Sequence, residues 1–271
     1  MKNDLLMADL SWPEIEAAAQ KGAVVVLPTG STEQHGLHLP LRVDAMLAEA
    51  VAVEAACQAS KSIPVVVAPT FHLGYSDEHM EYPGTISLSP DLLLNTYLQV
   101  LSSLYRAGFR RIFMLNGHGG NEAVINLALM EARSAHRDLL VTGSSYWRLA
   151  AEDLASIQDD RGSGIAHGGD VETALVSFLD QSLVDYTKAA QNRPLWGSPY
   201  LKGGFDKTPA VMVGRRRSDI SLSGSTGNPK LGTPEKGAEM FAAIVKRVTE
   251  FLVDFANWPF PPSGRTNQTA L

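Results

Sequence analysis

The stretch that most constrains this chain is Leu27-Pro-Thr-Gly-Ser-Thr-Glu-Gln-His-Gly-Leu-His-Leu-Pro-Leu-Arg-Val-Asp44. It follows Ala23–Leu27, a continuous apolar run of the kind found in strands buried on both faces. It ends where a helical pattern begins, over Asp44–Ser60. Glu33, His35, His38 and Asp44 lie within it, with no long apolar run to bury them. Residues two apart in an extended segment point to one side, so Glu33 and His35 share a face. Asp44 opens the next helix, which keeps its carboxylate near the loop. A carboxylate, an imidazole and a second carboxylate so placed make half of a metal site. The same stretch also suits a polar loop with an N-capping aspartate, so the rest of the chain has to decide.

That remainder alternates strand and helix. Ser11-Trp-Pro-Glu14 reads as a capping box with an early proline and predicts a helix from Pro13 to Lys21. Further strands are predicted at Pro64–Pro69, Arg111–Leu115 and Leu139–Thr142. Helices are predicted at Ser89–Gly108, Asn121–His136 and Asp170–Asp180, with a weak one through Ile157 and a strongly amphipathic one from Pro234 to Asn257. Gln181–Lys230 has little periodicity and much Gly, Pro and Ser, which predicts short strands, a flap or a subunit contact. No repeat or linker stands out, so residues 1–271 read as one domain with an irregular insert at about 181–230. Such alternation predicts a parallel sheet with helices on both faces. Ligands in these sheets bind beyond the carboxyl ends of the strands. The loops after the predicted strands carry Glu33 and His35, then His79, then His118, then Trp147. Of the 7 histidines only His136 falls on a helix; His35, His38, His72, His79, His118 and His167 fall in loops. Scattered surface histidines would not concentrate at one edge.

Composition removes several functions. A net charge of −6 argues against a nucleic-acid or anionic-membrane surface. Arg215-Arg216-Arg217 is the sole basic run and reads as a solvated turn. With Cys57 as the single cysteine, neither a disulfide framework nor a thiolate zinc site can form, and Cys57 itself reads as a small core residue. The N-terminus lacks the apolar segment of a signal peptide, and no long apolar stretch follows, so a cytoplasmic protein is expected.

Glu33, His35, Asp44 and His118, with a carboxylate from His167-Gly-Gly-Asp-Val-Glu172, form a donor set of oxygen and nitrogen without sulfur. It exceeds what one tetrahedral ion needs. Two divalent ions sharing a carboxylate, ~3.5–4 Å apart, fit better. Zinc, manganese or iron suit these donors. A hydroxide bridging the ions would persist at neutral pH, because bound metal lowers the pKa of water to roughly 7. Taken alone, Gly117-His-Gly-Gly120 also reads as a turn needing positive φ. Other chemistries fit less well. No Gly-x-Ser-x-Gly elbow and no Walker lysine occur. Gly117-His-Gly-Gly-Asn-Glu122 places a carboxylate where a dinucleotide loop needs its third glycine.

The long first motif, Glu78-His79-x-x-x-Pro-Gly-Thr-Ile-Ser87, Asn116-Gly-His-Gly-Gly-Asn121, His167-Gly-Gly-x-x-Glu-Thr173 and the late Gly-Asn-Pro…Glu-Lys-Gly237 together resemble the creatininase (creatinine amidohydrolase) family, in order and over nearly the whole chain. The resemblance implies a three-layer α/β/α sandwich, a binuclear metal centre and hydrolysis of a non-peptide C–N amide bond in a small-molecule substrate. It also implies a homo-oligomer, commonly a hexamer. Carried onto this chain, Glu33, Asp44 and His118 would hold one ion, and His35, Asp44 and Glu172 the other, with Asp44 bridging. His167 would shuttle a proton to the departing nitrogen. Glu78, His79 and Trp147 are candidates for substrate contact, though Trp147 also suits a core position.

The chain departs from creatininase proper at three places. Gly120 stands where that enzyme has a metal-ligating glutamate, so Glu172 has to supply the carboxylate, with Glu122 as second choice. Ser163 stands where it has a tryptophan over the substrate, and Ala166 where an acid precedes the catalytic histidine. The expected activity is therefore an amidohydrolase acting on a cyclic amide or formamide of a small polar metabolite through a metal-bridged hydroxide. The alternatives are creatininase proper, converting creatinine to creatine, and a non-catalytic metal-binding protein on the same fold.

Overall fold

Apolar runs of Val, Ile, Leu and Phe set the centre of the molecule. In the computed structural model, which describes residues 4–160, 163–192, 198, 200 and 211–260, these runs form one parallel sheet. Its strands are β1 (Val24–Thr29), β2 (Val65–Val67), β3 (Arg111–Asn116) and β4 (Leu140–Ser145), in the order β2-β1-β3-β4. β1 runs two residues past the predicted Leu27, through Pro28, whose carbonyl still accepts from the Phe71 N–H at 2.9 Å. The register sets Thr29, Asn116 and Ser145 level at the carboxyl edge. There the Thr29 hydroxyl donates to Asn116 Oδ1 at 3.2 Å, and Asn116 Nδ2 donates to Ser145 Oγ at 2.9 Å. A polar ladder thus marks where the functional loops leave the sheet.

Side chains alternate across the sheet and build two cores, giving three layers. Val24, Val26, Phe113 and Leu115 face one side. They pack with α2 (Val43–Ala59), α5 (Tyr146–Leu149), α6 (Ala151–Ile157), α7 (Asp170–Leu179) and α8 (Pro234–Ala256). Val25, Leu27, Ile112 and Met114 face the other side, with α1 (Trp12–Gln20), α3 (Pro90–Arg106) and α4 (Glu122–Ala135). The capping box expected at Ser11 is present: Glu14 accepts from the Ser11 N–H at 2.7 Å. Among the described residues no helix is long and apolar enough to cross a membrane.

Several expectations change. The weak helix before Ile157 divides into α5 and α6 at Ala150. Cys57 is exposed, not a core residue, because the buried stripe of α2 runs through Ala52, Ala55, Ala56 and Ala59 and leaves position 57 outward. Asp44 lies inside the first turn of α2 and does not cap it, since Arg42 occupies the cap position. The irregular insert contributes short 3-10 turns at Gln181–Leu183, Arg217–Asp219 and Pro229–Leu231 and a single bridge, Asn192 to Gly227, among its described residues. The apolar stripe of α8, including Met240, Ile244, Val248 and Leu252, packs within the chain against α2 and α7.

The α7–α8 contact also positions the site, because α7 carries Glu172. It is close enough that a Cβ on Gly237 would lie 2.0 Å from the Ala174 carbonyl oxygen. Gly237→Ala is expected to push the two helices apart and lower unfolding free energy by about 2 kcal/mol, read from the denaturant midpoint at constant slope. An unchanged midpoint would refute that close approach.

Candidate metal centre

Every expected ligand is buried at the carboxyl edge of the sheet. Glu33 and His35 are each 0% exposed, Asp44 2%, His118 5% and Glu172 2%. Glu33 and His35 leave the end of β1, Asp44 sits in the first turn of α2, His118 follows β3, and Glu172 sits in the first turn of α7. The asparagines flanking His118 tie these loops together. Asn121 Nδ2 donates to the Gly30 carbonyl and its Oδ1 accepts from the Tyr75 N–H, both at 3.0 Å.

Asp44 stands between two imidazoles. His35 Nε2 lies 2.9 Å from Asp44 Oδ1 and 3.7 Å from Glu172 Oε2. His118 Nδ1 lies 3.1 Å from Asp44 Oδ2 and 3.3 Å from Glu33 Oε2. His167 is 2% exposed, with its Nδ1 3.6 Å from Glu33 Oε1. Its ring centroid lies 4.2 Å from that of His35. In each of three groups the donor atoms fall within 4.8 Å of one another: Glu33, His35 and Asp44; His35, His167 and Glu172; Glu33, His79 and His167.

The far nitrogen of each ring explains its orientation. His35 Nδ1 is 3.1 Å from the Glu33 carbonyl, His118 Nε2 is 2.8 Å from the Tyr75 carbonyl, and His167 Nε2 is 2.7 Å from the Gln34 carbonyl. A carbonyl only accepts, so each far nitrogen carries the proton. The near nitrogen, which faces the carboxylates, is then the position that takes a second proton or an ion. Metal-ligating histidines are held in this way. His79 is the reverse. Gln34 Nε2 also donates to the Gly224 carbonyl at 3.0 Å, and it lies 2.7 Å from His79 Nδ1, which must therefore accept. The proton of His79 then sits on Nε2, facing Glu78 Oε1 at 3.1 Å and Glu33 Oε1 at 3.5 Å. His79 is set to orient Glu33.

The other expected residues are placed as follows. The Glu78 side chain is 37% exposed and pairs with Arg217. Arg217 is 3% exposed, which corrects its reading as part of a solvated turn. Trp147 is 1% exposed in the core beneath α8, which does not suit a substrate contact. Glu122 has both oxygens taken by Arg148, each at 2.7 Å, and also accepts from Ser145. Position 120 has no room for a ligand side chain, since a Cβ there would meet the Tyr75 carbonyl oxygen at 2.2 Å. His38 is buried against the Thr173 hydroxyl at 3.0 Å, while His72 is exposed. Gln34 and Arg217 were not anticipated. Gln34 lies between two expected ligands in the first motif, a signal that was available; Arg217 had none.

The donor set fits divalent metal. Glu33 Oε1 and Oε2, His35 Nε2 and Asp44 Oδ2 are buried and make no hydrogen bond. Buried carboxylates without compensation are costly. In the metal-free protein, protons take the place of ions. Burial opposes a charge on His35, yet Asp44 and Glu172 raise its pKa to about 9. Burial opposes charge on His118 too, but Glu33 and Asp44 hold it well above the ordinary range. Burial pushes Glu172 up to about 7, against the pull of His35. His167 is held well below the ordinary range, first by burial and then by His35, His79 and Arg217.

Comparison with known proteins agrees with this geometry. The family model described as creatininase, creatinine amidohydrolase, matches residues 8–252. A creatinine amidohydrolase of Pseudomonas putida is 31% identical, over 97% of this chain and 100% of its own length. A mycofactocin precursor peptide peptidase of Mycobacterium tuberculosis is 28% identical, over 89% of this chain and 87% of its own. A solved structure of creatininase with Mn superposes with a TM-score of 0.79 at 28% identity, covering 96% of this chain and 100% of that one.

The proton on His35 gives a pH dependence. Its pKa is raised from 6.5 to about 9, so the stability it contributes is complete below pH 6.5 and is lost as pH rises through 9. The melting temperature of the metal-free protein is expected to fall across that window. Saturating divalent metal replaces the proton and is expected to flatten the dependence. A metal-free melting temperature that stays level or rises would contradict this balance of charge.

Proposed function

This chain belongs to the creatininase family, and from that premise we propose that it is an amidohydrolase using two divalent ions to cleave a non-peptide C–N amide bond, in a cyclic amide or formamide of a small polar metabolite. The observation that carries the reading is the set of three ring nitrogens, on His35, His118 and His167, turned toward Glu33, Asp44 and Glu172, where each can take a proton or an ion. Glu33, Asp44 and His118 would hold one ion, and His35, Asp44 and Glu172 the other, with the two Asp44 oxygens directed to the two sides. Zinc, manganese or iron suit these donors. Bound there, the ions would supply a water acidified to near neutrality and a Lewis acid for the substrate carbonyl.

The chain's own groups do the rest. His167 is fixed through Nε2 on the Gln34 carbonyl, so Nδ1 is the nitrogen that moves a proton. Burial and neighbouring charge keep it neutral in the metal-free chain, so Nδ1 is the open position that would take a proton and pass it to the departing nitrogen. His79 steadies Glu33 from behind, and Glu78, at the more open side, is the side chain placed to meet substrate. Ser163 and Ala166, where the creatininase pattern has a tryptophan and an acid, favour a substrate other than creatinine. A homohexamer is part of the same proposal and is read by sedimentation.

Metal analysis of protein purified without chelator tests the reading. About two ions per chain are expected for wild type, falling toward one in Glu172→Ala and unchanged in Glu122→Gln. His167→Ala is expected to keep its metal and lose turnover by about 10²–10⁴-fold on whichever of creatinine, lactams, cyclic ureas or formamides the wild type cleaves. Wild type that retains no ion after metal supplementation would sink the proposal. Two ions in Glu172→Ala would remove Glu172 from the ligand set.

A further inference from the structure

A second group of buried oxygens lies outside the metal centre, beneath the loop that carries His167. Gln158 and Asp160 leave the end of α6 turned inward, at 5% and 9% exposure. Asp159 between them is exposed and pairs with Lys236. Asp170, 2% exposed, opens α7, and its Oδ2 accepts from the Asp160 backbone N–H at 3.2 Å. A Cβ placed on Gly227 would lie 3.3 Å from Asp160 Oδ2 and 3.1 Å from the Ala166 Cβ. The Asp160 carboxylate therefore faces the Gly227–Asn228 turn and the residue before His167.

The chemistry of this group is one-sided. Asp160 Oδ2, Asp170 Oδ1, Gln158 Oε1 and Asn228 Oδ1 are all buried, and none has a hydrogen-bond partner. All four are acceptors. Two belong to carboxylates, and among the described residues no basic side chain pairs with either. A single water has only two protons to offer. A hard divalent cation matches unpartnered oxygens of this kind, and calcium takes mixed sets of carboxylate and amide oxygens. Two carboxylates match the charge of one divalent ion.

We propose that Gln158, Asp160, Asp170 and Asn228 form a binding site for a hard divalent cation of the calcium class, distinct from the catalytic metal centre. The ion joins the end of α6, the start of α7 and the turn at Gly227. That turn holds the His167 loop directly, because the Thr226 N–H donates to the His167 carbonyl at 2.8 Å. Cation binding therefore stiffens the support of His167 without replacing a catalytic ion.

Protein stripped of metal, then saturated with zinc, is titrated with Ca²⁺ by calorimetry and by thermal unfolding. The expected result is about one Ca²⁺ per chain and a higher melting temperature. Both are lost in Asp160→Asn and in Asp170→Asn, and both survive in Glu33→Gln, which alters the catalytic cluster alone. Circular dichroism confirms that each variant is folded. If neither aspartate variant folds, Gln158→Leu is read in their place, with weaker Ca²⁺ binding expected. No Ca²⁺ uptake by the zinc-loaded wild type overturns the proposal. So does uptake that persists undiminished in the folded aspartate variants or in Gln158→Leu, or uptake abolished by Glu33→Gln.

Discussion

Asp44 is buried with Glu33 and Glu172 close by, and the repulsion among these carboxylates is the condition the rest of the molecule has to meet. Three negative groups in a low-dielectric interior require positive charge within a few ångströms. Protonated histidines meet that need in the metal-free chain, and the same side chains offer the donors that a divalent ion would use. Each near nitrogen is already set by a bond from its far partner to a backbone carbonyl. The ligand geometry is thus built from main-chain positions. Main chain at the edge of a packed sheet moves little, which is what a preorganised site needs.

The fold supplies that edge. β1 and β3 pair along their whole length, so the loops that follow them start level with each other. Thr29, Asn116, Asn121 and Ser145 then bond across the gap, from strand to strand and loop to loop. From the opposite core, α7 and α8 bring Glu172 up against His35. Described residues of the irregular segment pack against this arrangement. Arg217 reaches Glu78, Tyr82 donates to the Ser221 carbonyl at 2.8 Å, and Gln34 donates to that of Gly224. The described residues around Arg217, Ser221 and Gly224, which show no periodicity, are therefore held by polar contacts with the site loops.

How far the sequence reveals this depends on the range of each interaction. Strand and helix positions were legible, because apolar period and capping chemistry are local. The boundary at Thr29 was missed, since proline usually ends a central strand, and here the sheet edge retains it. The side of α2 that Cys57 faces was missed because an alanine-rich helix has little periodic contrast. Clustering of histidines after strands marked the correct edge. It did not separate His72, which is exposed, from His79, which is buried, although both follow β2.

By itself, the sequence determined the alternating layered fold, the edge where the candidate site lies and the residue types that could hold metal there. These follow from patterns of a few residues and from a long ordered motif. Tertiary structure alone decided which acid lies beside the clustered histidines. Glu122 and Glu172 are equivalent as letters, but Arg148 binds one bidentately and α7 aims the other at His35. It also decided that Trp147 is core, that Arg217 is buried, and that the proton of His79 lies on the opposite nitrogen sense from its neighbours. Those outcomes depend on partners far apart in the chain, and no local pattern encodes which partner a side chain will meet.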